Sequence, residues 1–509
     1  MRRPGLLLLL FLVLPAKAEP PATPPSFNAA LATDAYAAAL TFIAPRALTP
    51  VTVPQLAIWG LRGLTALDPD LIARERAGRL ELASGQQVIY ASAPPPEPDA
   101  RAWATVAVSM TDAGWRESAA LRRAGTQRIT QSFFNEMFNH LDPYSRYIRP
   151  DLAGEERALR GGVAGIGTTL TRQHGAVLVQ SISPNSPAAG AGLRPGDQIL
   201  SVDGRSVVGQ EAATIAGWIA GSEASPVRLI WRGADGRSRD VEILRAIISR
   251  PTVFPDRVDQ MLVLRVTGFF RNTSEKFAEL IARALDSRHP PQGIVIDLRG
   301  NRGGLLAEAA TVADELLQAG VVAIEQGRDP AANRIWYSAS GELAKEVPVV
   351  VLVDGRTASA AEVLAAALAD RGRAVVVGSS TLGKGLVQTF TTLPDGGELF
   401  VTWSRMLAPR EWPIQGMGVL PQVCTSLGEN ELERQLQSLA AGVQPMTTAI
   451  ERARAARSAV STAEIVAIRS ACPAAEGRDA DLDAAQFLIE NPAAYAAALL
   501  PPMHGPTGP

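Results

Sequence analysis

From Met261 onward, short apolar runs alternate with amphipathic stretches: MLVLRVTGF, a helical pattern from Ser274, GIVIDLRG, a helical pattern from Leu305, VPVVVLVDG, a helical pattern from Ala360, then AVVVG. That alternation predicts an α/β domain built on a largely parallel sheet. Between Gly161 and about Ile248 the texture changes to brief apolar runs separated by glycine turns, with Asp203-Gly204 and Asp235-Gly236 as hairpin signals, which reads as a compact β-rich module. Upstream, Phe27 to about Ala73 carries helical periodicity broken by Pro45 and Pro50, SAPPPEPDA (Ser92 to Ala100) reads as a loop, and helix resumes from about Arg122 through SFFNEMFNHLDPYSRYI. Leu-Asp-Pro occurs at Leu67 and Leu141, each time at the end of a helical pattern, and two helix stops explain the repeat. After Leu427 the chain is alanine-rich and helical, with Pro473 and Pro492 as breaks.

The first 18 residues combine Arg2 and Arg3, an apolar run from Leu6 to Leu14, and Ala16-Lys17-Ala18, the make-up of an export signal cleaved after Ala18. The apolar run is too short for the roughly 20 residues of a spanning helix, and no later run is long enough either. A soluble exported protein, periplasmic or secreted, is the expectation. Removing Arg2, Arg3 and Lys17 takes the formal charge from -2 to -5, too mild to argue for nucleic acid or an anionic membrane as partner. The two cysteines, Cys424 and Cys472, lack neighbouring ligands at zinc spacing, and an oxidising compartment makes a single bridge between them the expected pairing, with two buried free thiols as the alternative. At 509 residues the length suggests about three domains.

Three glycine-rich or tight turns end strands of the α/β region, where open sheets carry their sites: DLRGNRGG, DGRTASAAE and GSSTLGKG. The last imitates a phosphate loop through Gly378 and Gly383-Lys384, but Gly385 replaces the metal-binding hydroxyl, and LVQTFTTL after it favours a strand where that loop needs a helix. Ser359 sits on a tight bend between strand and helix, which suits a nucleophile, although Ser359-Ala-Ala-Glu362 also fits a helix capping box. None of His140, His174, His289 and His504 adjoins such a turn, and no G-x-S-x-G elbow is present. Lys384 can serve as the base. An ordinary lysine of pKa about 10.4 is neutral in roughly one molecule in 2,500 at pH 7, about 4.6 kcal/mol, so a lysine base needs desolvation. On a strand after the turn, Lys384, Leu386 and Gln388 would share one face, letting Gln388 orient the amine or the substrate. Backbone amides of Gly303, Gly304 and Ala360 are candidate oxyanion donors, with an ordinary glycine turn as the other reading of N-R-G-G.

Together these residues resemble the carboxyl-terminal processing proteases, also called tail-specific proteases, a family of serine endopeptidases with a Ser-Lys dyad. The likeness runs from about Phe133 to Pro421 through LDPYSRYI, SPAAGAGLRPGDQILSVDG (typical of a PDZ domain), DLRGNRGG, TASAAEVLAAALAD and VVVGSSTLGKGLVQ. The Ser359-to-Lys384 separation of 25 residues, and a glutamine four residues later, agree with the family pattern. The resemblance implies Ser359 as nucleophile, Lys384 as base and Gln388 as its support, with no metal or nucleotide needed. It implies a multidomain α/β chain: signal peptide 1–18, helical N-terminal region 19–150, PDZ domain 151–250, a largely parallel crotonase/Clp-like protease core 251–424, and a helical tail 425–509. It further implies polypeptide substrates whose free C-termini bind the PDZ groove by strand addition, the carboxylate resting on amides around Gly165, Ile166 and Gly167. An adaptor protein and a homo-oligomer are compatible with it. Departures from the family pattern are Pro421-Gln422, where Pro-Asp is usual, and Arg356 and Thr357 just before the Ala-Ser pair. The competing function is a PDZ scaffold or binding protein on an inactive protease fold.

Overall fold

The computed structural model describes residues 27–161, 164–248, 251–339 and 341–501, so the expected export signal lies outside the described residues. The α/β domain is a six-stranded sheet whose spatial order follows the chain: Val253–Val258, Met261–Val266, Gly293–Asp297, Val349–Val353, Ala374–Gly378 and Val423–Cys424. The first pair is an antiparallel hairpin, and every later neighbour is parallel. Helices Thr273–Leu285, Leu306–Asp314 and Ala360–Asp370 make the crossovers. All three contribute buried side chains to one core with Leu264, Ile294, Ile296, Val349, Val351 and Val376. The alternate positions Val263, Val295, Val350, Leu352, Val375 and Val377 point the other way, onto Leu432, Leu439, Ala484, Leu488 and Ala494 of the C-terminal helices. Period-two alternation therefore gives the central strands two buried faces, while the edge strand Val253–Val258 is mostly exposed. Each fully buried Val or Leu is worth about 1.5–3 kcal/mol, so the tail is half of the sheet's covering.

All eleven residues of the Ala360–Asp370 helix are buried. A helix apolar all round needs cover on every side. Here a second, antiparallel sheet supplies it, with Val322, Ala323 and Met406 in the same core. This sheet runs in the order Arg334–Ser338, Gly320–Gly327, Glu398–Leu407, Leu386–Thr392, and Arg146–Ile148 adds to the Glu398–Leu407 strand. Its other side, through Leu393, Leu399 and Val401, packs on the N-terminal helices Ala29–Arg46, Val53–Leu67, Ala100–Glu117 and Ala119–Asn139. The N-terminal region is not purely helical. Leu71–Arg76, Arg79–Ser84 and Gln87–Ser92 form an antiparallel sheet, turned at Ala77-Gly78 and Gly85, where φ is positive. Pro492 marks the expected break: the Asp479–Glu490 helix ends before it, and Pro492 opens the last helix at its first turn.

The PDZ-like module orders its strands Ser238–Leu244, Pro226–Arg232, Gln198–Val202, Ala176–Ile182, Thr168–Gln173. Its core holds Ile166, Val177, Ile199, Ile215, Leu229 and Trp231. The Pro150–Gly161 helix precedes it.

Candidate active site

The three turns meet at the carboxyl ends of the neighbouring parallel strands Gly293–Asp297, Val349–Val353 and Ala374–Gly378 because buried side chains bind them to one another. Asp354 Oδ1 accepts the amides of Gly300, Arg356 and Thr357, tying the first turn to the second. Thr357 Oγ1 donates to the Leu298 carbonyl, and the Ala358 amide donates to the Asn301 carbonyl. The third turn joins through the Leu382 amide, which donates to the Thr357 carbonyl.

Ser359 stands at the head of its helix with φ +59° and ψ -123°. A non-glycine residue there costs about 1–3 kcal/mol and persists only where its surroundings impose it. Glu362 imposes it. Its fully buried carboxylate accepts the Ser359 amide on Oε2 at 2.8 Å, the Lys384 amide on the same oxygen at 2.8 Å, and the Gly383 amide on Oε1 at 2.6 Å, and Thr381 Oγ1 donates to Oε1 as well. One carboxylate oxygen thus spans the backbones of both predicted catalytic residues. Burial pushes the Glu362 carboxyl up, and its four donors pull back toward the ionised form. The capping-box reading is half realised. Glu362 receives the Ser359 amide, but the serine side chain makes no capping hydrogen bond, and the Glu362 amide goes to the Ser359 carbonyl. Sequence reasoning noticed Glu362 only as a cap. The signal for more was a carboxylate in the first turn of a helix that is apolar from Val363 to Ala369.

Lys384 is half-buried, between glycines that cannot be replaced without collision. A Cβ on Gly385 would lie 2.3 Å from the Gln415 amide nitrogen, and one on Gly383, whose φ is +85°, would lie 2.9 Å from the Gly416 backbone. Burial holds the Lys384 amine below the usual lysine range, the charge of Arg146 adds to this, and Glu362 opposes it. Its Nζ lies 5.2 Å from the centre of the Tyr144 ring, and among the described residues no hydrogen bond links it to Ser359 Oγ. Tyr144 is fixed by the LDPYSRYI turn. Asp142 Oδ1 accepts the amides of Tyr144 and Ser145 and the hydroxyl of Thr402, the residue to which Gln388 Nε2 also donates. The second Leu-Asp-Pro is therefore more than a helix stop. The strand starts at Leu386, so the expected alternation does not reach Lys384; a register shift sets Val387 opposite Ser404 and Gln388 opposite Thr402, and Gln388 Nε2 donates to the Leu386 carbonyl and Thr402 Oγ1.

Of the expected oxyanion donors, Gly303 gives its amide to Asn301 Oδ1, while a Cβ on Gly303 would meet Ala358, Ser359 and Ala360 at 2.8–2.9 Å. Gly304, at φ +142°, pairs with Phe269 beside it. The Ala360 amide, at the first position of its helix, has no carbonyl partner within that helix. The buried Asn301, whose Nδ2 donates to the Val266 carbonyl, was not anticipated. Gln422 extends the parallel sheet by accepting the Val376 amide with its side-chain oxygen. In the PDZ-like module, Gly165, Ile166 and Gly167 lie just before the edge strand Thr168–Gln173, against which the Ala212–Ile219 helix packs. A shallow depression of about 630 Å³, lined by Pro187, Val241, Leu244 and Arg245, lies along the opposite edge of that sheet.

Comparison with known proteins follows the same division. The family model for peptidase family S41 matches residues 260–425, and one for PDZ domains matches residues 178–233. The carboxy-terminal-processing protease of Bartonella bacilliformis is 32% identical over 326 residues, 60% of this chain and 74% of that protein. The chain belongs to the S41 peptidases. These are serine-type proteases, and this member carries a PDZ domain. A probable CtpA-like serine protease of Staphylococcus haemolyticus is also 32% identical over 305 residues, 59% of this S41 chain and 60% of that protein. Among solved structures, the photosystem II D1 C-terminal processing protease is 26% identical, with a TM-score of 0.37, and the match covers 76% of this chain and 97% of that one.

Proposed function

We propose that this S41 peptidase is an exported endopeptidase that cleaves polypeptides near their carboxyl termini, with Ser359 as nucleophile and Lys384 as general base. The observation that carries this reading is the shared Glu362 Oε2, which holds the strained Ser359 and the desolvated Lys384 on one anchor. Neutral Lys384 takes the Ser359 hydroxyl proton as Oγ bonds to the peptide carbonyl carbon. The amides of Ala360 and Gly304 face the oxyanion. The C–N bond then breaks, the lysine proton goes to the leaving amine, and an acyl ester remains on Ser359. Water attacks that ester, giving its proton to Lys384, and the serine is regenerated. Lys384 leaves the Tyr144 ring to reach the hydroxyl.

Substrate selection belongs to the PDZ domain, where a C-terminal segment would add as a strand beside Thr168–Gln173 with its carboxylate at Gly165 to Gly167. The apolar N-terminal run and the Cys424–Cys472 bridge support an oxidising destination. The missing Ser359–Lys384 hydrogen bond favours a second reading, an inactive PDZ scaffold. An unstructured peptide with an apolar carboxyl terminus separates the two. Wild type should cleave it while Ser359→Ala and Lys384→Ala should not. Equal cleavage by all three would remove the dyad, and no cleavage by wild type would favour the scaffold.

A further inference from the structure

A stretch about 90 residues beyond the lysine turn touches all three catalytic turns, although it is neither strand nor helix for most of its length. At the end of the Thr462–Arg469 helix, Arg469 Nη1 donates to the carbonyls of Thr381 and Met417, at 2.8 and 2.7 Å. Ser380 Oγ donates to the Cys472 carbonyl. Ser379 Oγ donates to the Ala475 carbonyl and accepts its amide. The same Ala475 carbonyl accepts the Gly355 amide at 2.7 Å, and Arg356 pairs with Glu476. Arg299 of the first turn donates to the Arg478 carbonyl and to Asp481. The fit is close, since a Cβ on Gly477 would lie 2.6 Å from Arg299 and one on Gly355 would lie 3.2 Å from Ala474. The Cys424–Cys472 disulfide fastens the stretch to the strand that neighbours Ala374–Gly378.

We propose that Arg469 to Asp481 is a positioning brace for the reaction, with Arg469 as its principal residue and the disulfide as its fastening. The inference rests on the dyad reading above. The route runs from Arg469 to Thr381, from the Thr381 hydroxyl to Glu362, and from Glu362 to the amides of Ser359 and Lys384. An irregular segment satisfies its backbone polar groups wherever partners exist, and here those partners are the catalytic turns. Without the disulfide, a stretch with so few buried apolar contacts opens at low cost and leaves the turns unsupported.

The full chain is compared with Arg469→Ala, Arg469→Lys and the double variant Cys424→Ser/Cys472→Ser. Peptide cleavage gives kcat and KM, and hydrogen exchange follows segments 297–304, 354–359 and 378–385. Arg469→Ala and the double cysteine variant should lower kcat about tenfold or more, the scale of one charge-assisted hydrogen bond, and change KM by less than about twofold. Exchange should quicken in 378–385 in both, and in all three segments in the cysteine variant, with the N-terminal helices unchanged. Arg469→Lys should fall between, because both bonds leave from one nitrogen. Unchanged kcat and exchange would overturn the brace, as would protection lost evenly across the parallel sheet. If wild type cleaves nothing, the proposed function fails while the exchange measurement still decides the brace.

Discussion

Replacing Glu362 by glutamine isolates the anchor from the dyad. The carboxylate only accepts, taking two donors on each oxygen. A glutamine must present an NH₂ to one pair. With the NH₂ toward Thr381 and Gly383, the threonine hydroxyl can turn and accept, leaving the Gly383 amide alone without an acceptor. With the NH₂ toward the other pair, the amides of both Ser359 and Lys384 lose theirs. The first arrangement is cheaper, and one orphaned buried amide costs about 1–3 kcal/mol. That energy corresponds to about 5- to 160-fold faster opening around the lysine turn. Native-state hydrogen exchange on the Gly383 and Lys384 amides should show an acceleration in this range, and kcat should fall with it while the PDZ domain still binds a C-terminal peptide. Glu362→Ala, which orphans all three amides, should be worse. Wild-type exchange and wild-type kcat in Glu362→Gln would refute the anchoring role.

The pH profile follows from the lysine. Its folded pKa is lowered by burial, so the neutral base accumulates as pH rises through a value below the ordinary lysine range, and kcat/KM should rise along that limb, as seen in initial rates across pH. Lys384→Arg, ionised throughout, should abolish the limb together with the activity. Gly303→Ala puts a Cβ within 2.9 Å of the Ser359 turn at φ +93°, so kcat should fall by about tenfold or more with little change in PDZ affinity, measured by peptide titration.

The parallel core was legible because its strands are short unbroken apolar runs, and the first two of its helices carry polar outer faces that keep the alternation visible. The antiparallel sheet behind the active site was not legible. Gly320–Gly327 and Glu398–Leu407 pair across a stretch that holds two strands of the parallel sheet and the Ala360–Asp370 helix, and only LVQTFTTL announced a strand. The N-terminal strands escaped because LIARER and RLELAS are rich in charges that also suit helices. Ser359 and Lys384 could be chosen from local turn chemistry. The partners of Glu362, Asp142 and Arg469 are fixed by contacts across long stretches of sequence, which no local pattern carries. Lys384 shows the reverse failure: period-two reasoning put it on one strand face with Gln388, but the strand begins only at Leu386.

The dyad is tested most directly by covalent capture. Incubating the protein with a serine-directed phosphonate and mapping the adduct by mass spectrometry should place the label on Ser359, rapidly in wild type and barely at all in Lys384→Ala at neutral pH. A label on another serine, or equal rates with and without the lysine amine, would contradict the account.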